Sequence, residues 1–104
     1  MFGNMKEMMK QAQNMRTQMK KIKKELESIE CEGASANGLC KVVMTADMDT
    51  KQVVLDETLL SSEAYIIENA MKTAINEALK QAKDTSAKKL KAVTGGLTDG
   101  LPGF

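Results

Sequence analysis

Residues able to move protons, attack a carbonyl or hold a metal are scarce in this chain. Its 104 residues include no histidine, which removes His-ligated metals, Ser-His-Asp triads and Cys-His pairs together. Cys31 and Cys40 are the only cysteines; their spacing fits neither a C-x-x-C redox pair nor a zinc pattern, so free, reduced and partly buried thiols are expected. Asp47 and Asp49 in "DMDTK" could pair on a divalent cation, but between two strand patterns they read most simply as turn residues. The thioethers of Met5, Met8, Met9, Met15 and Met19 could hold Cu(I). Such a site needs convergent sulfurs free of packing, and methionine at helical spacing is far more often core filler. Gly95-Gly96 lacks the Gly-Lys-Ser/Thr of a phosphate loop and precedes no helix. Carboxylates alone remain for acid-base work, and nothing in the sequence gathers two of them in a pocket. We therefore expect no enzymatic activity, cofactor, metal or small-molecule substrate.

Charge carries more information than reactivity. The net value is only +1, but its distribution is uneven. Residues 1–24, including "MKEMMKQAQNMRTQMKKIKK", hold Lys6, Lys10, Arg16, Lys20, Lys21, Lys23 and Lys24 against Glu7 alone, a segment charge of +6. Residues 80–104 hold Lys80, Lys83, Lys88, Lys89 and Lys91 against Asp84 and Asp99, a charge of +3, whereas residues 25–79 sum to −8. Solvated helices usually intersperse both signs for i,i+4 pairs, and residues 1–24 forgo nearly all of them. Such crowding of one sign calls for an external polyanion, nucleic acid first. A merely solvated face is the plainer alternative. Anionic lipid is disfavoured because the opposing face lacks the Trp, Phe and Leu of membrane-inserting helices.

The elements that must present this charge follow from periodicity. Met5, Met8, Ala12, Met15, Met19, Ile22, Leu26 and Ile29 recur at alternating steps of three and four, a heptad seam that predicts a helix over about 4–28 with Asn4 as its cap. With Met5 at position a, the cations fall at b, c, e and f, around the side away from the seam, and Gln11, Gln18 and Glu25 occupy g. The period then drops to two. Ile29 and Cys31, then Cys40, Val42, Met44 and Ala46, then Val53 and Leu55 mark the buried faces of three strands in a meander. "GASANG" supplies Gly33 and a positive-φ Asn37-Gly38 turn, and "DMDTK" supplies the second turn. A second helix is expected from a Ser61 or Ser62 cap, with Glu63 in its first turn. Its stripe is Ile67, Ala70, Met71, Ala74, Ala78 and Ala82, widened by Ile75 and Leu79 and continued by Leu90 and Val93; its many alanines permit close approach. Residues from about 94 to 104, rich in glycine, read as a flexible or docking tail to a single domain spanning 1–104. No apolar run reaches the roughly 18 residues of a membrane span, and no secretory h-region is seen, so a cytoplasmic protein is expected. A chain this short buries about 60–65% of its unfolded surface alone, which favours self-association.

Which nucleic acid is narrowed by composition. Phe2, Tyr65 and Phe104 are the only aromatic residues and none falls on a predicted strand, which argues against base-stacking readout of single strands. Arg16 is the sole arginine, so base-edge reading has little support. Duplex binding through the phosphate backbone remains.

Several stretches together resemble one family. An N-terminal "MFG" before "MKQAQNMRTQMKKIKKEL", the hairpin "EGASANGLCKVVM", "VVLDETLL" before the second long helix and a closing "GLPGF" are similar, in order and nearly end to end, to the YbaB/EbfC family of nucleoid-associated proteins. The resemblance implies an α+β fold of order α-β-β-β-α, a tweezer-like homodimer, and duplex DNA binding of low sequence specificity in the nucleoid. It places the DNA contacts regionally, on the arm that carries Lys6, Lys10, Arg16, Lys20, Lys21, Lys23 and Lys24 and on the distal second helix with Lys83, Lys88, Lys89 and Lys91. The competing expectation is a coiled-coil interaction module whose seam recruits another protein helix, its lysines serving only solubility.

Overall fold

The change of period at residue 29 is where helix gives way to sheet. The computed structural model describes residues 2–94, with side chains over 4–92. Helix α1 spans Phe2–Ser28, strands β1, β2 and β3 span Glu30–Ala34, Cys40–Thr45 and Thr50–Leu55, a short helix α2 spans Glu57–Leu60, and α3 spans Ala64–Thr94. The order is α-β-β-β-α with α2 added, and the sheet is an antiparallel meander in the order β1-β2-β3. The expected tail and Val93 side chain lie outside the described residues. Helix α1 begins at Phe2, so Asn4 lies inside the first turn and does not cap it.

One face of the sheet packs on α3. Cys31 and Gly33 of β1 and Cys40, Val42 and Met44 of β2 point into the core, where they meet Ala70, Ala74, Ala78 and Ala82 of α3. The small residues let the two layers come unusually near. A Cβ added at Gly33 would stand under 3.0 Å from the Ala74 carbonyl oxygen and from the Ala78 backbone. Gly33 is thus a strand residue placed for helix–sheet contact, whereas the sequence pattern had suggested a turn. The thiols of Cys31 and Cys40 are free and buried, and burial raises the Cys40 pKa above its ordinary value.

The turns show how local chemistry sets the register. Gly38 takes the positive φ, 74°, that its Asn-Gly pair predicts. Around it the buried Ser35 hydroxyl donates to Asn37 Oδ1 at 2.7 Å and accepts from the Cys40 amide at 3.1 Å. At the second turn the Met48 amide donates to the Thr45 carbonyl, and Met48 itself adopts a φ of 67°. That left-handed position usually takes glycine in three-residue hairpin loops. The register then shifts beside Val43 and Met44, leaving Lys51 as an extra residue on β3.

Two further details differ from the sequence reading. Val53 was expected to be buried; it shares a face with its partner Val42 but is 44% exposed, and five of the six β3 residues are exposed. The reason is that α3 packs mainly on β1 and β2, so β3 lies beyond its cover. Ser61 and Ser62 do not cap α3. Their hydroxyls donate back to the carbonyls of Glu57 and Thr58, within α2, and the Ile66 and Ile67 amides in the first turn of α3 donate to the Glu63 carbonyl. Helix α2 itself is capped by Asp56, whose carboxylate accepts from the Thr58 amide at 2.9 Å; that bond, with a further one from the Thr58 side chain, lowers the Asp56 pKa.

Candidate nucleic-acid interface

Helix α1 is 27 residues long, about 40 Å, and only its last third is held by the rest of the chain. Ile22 and Leu26 are buried and Ile29 is half-buried against α3 and β2. From Asn4 to Lys21 every residue is exposed. The seam predicted from Met5 to Ile29 is therefore a packing surface in its final heptad and an open surface before it: Met5, Met8 and Met9 are 65%, 67% and 65% exposed. The physical cause is reach, since α3 meets α1 near its own C-terminal end and offers nothing to the residues beyond.

All seven predicted cations of α1, Lys6, Lys10, Arg16, Lys20, Lys21, Lys23 and Lys24, are exposed. Among the described residues the ion pairs are Lys41–Glu32, Lys51–Asp49 and Lys89–Glu25, and none of them engages an α1 cation. The arm thus keeps its positive charge toward solvent rather than against the acidic centre of the chain.

The distal cations of α3 are brought to the base of this arm. Lys89 Nζ lies 3.8 Å from Glu25 Oε2, bridging α3 to α1. Beside the bridge, an open groove of about 320 Å³ is lined by Gln18, Lys21, Ile22, Glu25 and Ala92. Lys83, Lys88 and Lys91 are exposed on the same stretch of α3. The two regions singled out by charge therefore adjoin at the α1–α3 junction. Sequence reasoning missed the Lys89–Glu25 bridge; Glu25, an acid standing right after four lysines in five positions, was its only trace.

No group of three or more His, Cys, Asp or Glu side chains is arranged to hold a metal ion among the described residues. Asp47 and Asp49 sit in the β2–β3 connection, and Asp49 pairs with Lys51 at 3.1 Å. No helix of the described residues is long and apolar enough to cross a membrane.

A three-stranded meander flanked by two long helices, one projecting as a cationic rod, defines a small α+β protein that presents a positively charged arm. The chain matches the YbaB/EbfC DNA-binding family over residues 1–97 and belongs to that family. Among solved structures it is similar to the uncharacterized protein HP0035 from Helicobacter pylori, at 12% identity and a TM-score of 0.77, over 85% of this chain and 94% of that one. The likeness extends the α-β-β-β-α fold to a distant sequence.

Proposed function

We propose that this protein is a non-enzymatic, nucleoid-associated factor that grips duplex DNA through phosphate contacts of low sequence specificity, with consequences for nucleoid organisation and gene expression. The observation that carries this reading is the rod of seven exposed cations over residues 6–24, none of which is ion-paired to an acid among the described residues. Lys6, Lys10, Arg16, Lys20, Lys21, Lys23 and Lys24 contact phosphates, assisted by Lys83, Lys88, Lys89 and Lys91. Family membership supports DNA as the polyanion. The protein works in the cytoplasm, on the nucleoid, as a single domain over 1–104.

In this reading the working form is a homodimer whose two rods flank the duplex like the tips of tweezers. Support comes from β3, an edge strand with Val53 and Val54 exposed, which is the kind of unprotected edge that a second strand covers.

The test is a salt titration of binding to an arbitrary duplex, beside a single-stranded control. Log affinity is expected to fall linearly with log salt at a slope of about −0.9 per phosphate neutralised. Lys20→Glu with Lys24→Glu should flatten that slope by roughly 2 per rod and weaken binding to all sequences alike. Equal affinity of the reversed variant, or no retardation of any duplex at low salt, would defeat the assignment and leave the interaction-module reading.

A further inference from the structure

The methionine face of α1 is not explained by phosphate binding. Met5, Met8, Met15 and Met19 lie along one side of an exposed stretch, with Met9 beside them, and all five are exposed. A helix without tertiary cover gains nothing from an apolar stripe until a partner lies on it. Methionine suits a surface that must adapt, because its unbranched, polarizable side chain repacks easily.

Flanking charge decides what kind of helix fits. The residues at e are Met9, Arg16 and Lys23, and those at g are Gln11, Gln18 and Glu25. In a parallel pair, e on one helix faces g on the other; an antiparallel pair sets e against e. A second copy of α1 would meet Arg16 and Lys23 with glutamines in the first arrangement and with its own cations in the second. In either case it would bring two segments of charge +6 together. Self-pairing of the rods is thus opposed, and an acidic flank is favoured.

We propose that the methionine face of residues 5–19 is a docking surface for an amphipathic helix of another protein, one with apolar a and d positions and glutamate or aspartate beside them. The partner occupies the seam while the cations at b and f stay outside it, so docking and phosphate contact use different sides of one rod. This surface does not depend on the DNA reading, and the two can fail separately.

The probe is a synthetic peptide of about three heptads with Ile at a, Leu at d and Glu at e and g, compared with the same peptide carrying Lys at e and g, each titrated against the full chain by fluorescence anisotropy. The glutamate peptide should bind saturably and at least about tenfold more tightly than the lysine peptide. The variant Met8→Gln, Met15→Gln, Met19→Gln keeps charge and helix propensity. It should lose peptide affinity about tenfold or more, while its affinity for duplex DNA stays within about twofold and its circular dichroism is unchanged. Absence of binding, equal binding of both peptides, or full peptide affinity in the triple variant would each overturn the proposal. So would conversion of a dimer to monomers by the triple variant, which would assign the seam to a second copy.

Discussion

At the residue scale, Gly33 and Met48 carry opposite kinds of backbone constraint. Gly33 has an ordinary strand conformation but no room, since a methyl group there would press on the backbone of Ala74 and Ala78. Gly33→Ala should therefore cost about 3 kcal/mol in urea unfolding, the upper end of overpacking penalties, because helix backbone cannot rotate aside as a side chain would. Met48 has room, being half exposed, but its φ of 67° is one that L-residues avoid. The left-handed conformation costs about 1–2 kcal/mol, and glycine gives back about 0.5–1 kcal/mol through chain entropy. Met48→Gly should raise stability by roughly 0.5 kcal/mol, whereas Met48→Ile should lower it, both read from the unfolding midpoint. Asp56 supplies a pH dependence. Its pKa is lowered in the folded chain by hydrogen bonds from Thr58, so its contribution is complete above the unfolded value and is lost as pH falls through the folded one. Acid titration of stability in Asp56→Asn should be flatter below about pH 4 than in the natural chain.

At the element scale, the α1–α3 junction separates what packs from what projects. Leu26→Ala at its base should cost about 2–5 kcal/mol by opening a cavity, and it should loosen the rod together with the fold. The Lys89–Glu25 bridge is different: both side chains are nearly half exposed and 3.8 Å apart, so its net worth is under about 1 kcal/mol. Glu25→Gln should leave the unfolding midpoint almost unchanged and strengthen duplex binding, since it releases Lys89 and removes an anion from the base of the rod. The elements themselves were largely legible in advance. Steps of three and four located α1, alternation located the strands, and alanines spaced along α3 marked a face of close approach, which the structure sets against the sheet. What periodicity could not say is where a stripe stops being covered. Met19 and Leu26 both occupy position a, and only the place where α3 meets α1 makes one exposed and the other buried. Val53 misled for the same reason, because alternation reports which face a side chain takes, while cover depends on how far the opposing helix extends. Helix α2 was missed because four residues are too few to establish a period, although Asp56 two residues before Thr58 was a readable cap.

At the scale of the whole molecule, the chain measures 70 × 25 × 17 Å with a radius of gyration of 19.4 Å. A compact chain of this length has a radius near 13 Å, so about half as much again comes from the projecting helices. A single copy thus exposes a methionine stripe, a bare strand edge and Val53, Val54 and Leu60 at once, more apolar surface than isolated exposed residues account for. Val53→Lys on β3 should keep the monomer folded, since the position is open, and should shift sedimentation toward single chains with a parallel loss of duplex affinity. Unchanged sedimentation would move the pairing surface elsewhere.

The contact at Gly33 also sets a tolerance for the distant tips. It holds α3 against the sheet near its midpoint, and Ala92, about 20 Å further along, lies beside α1. The two helices behave as a compound lever with its pivot at one missing methyl group. A tilt of about 5° at that pivot shifts a point 25 Å or so away by roughly 2 Å, more than half the axial step of about 3.4 Å between phosphates on one strand. Crowding the pivot would mis-aim the cations relative to one another even in molecules that still fold, so the alignment of a charged row depends on an atom absent from the opposite layer of the protein.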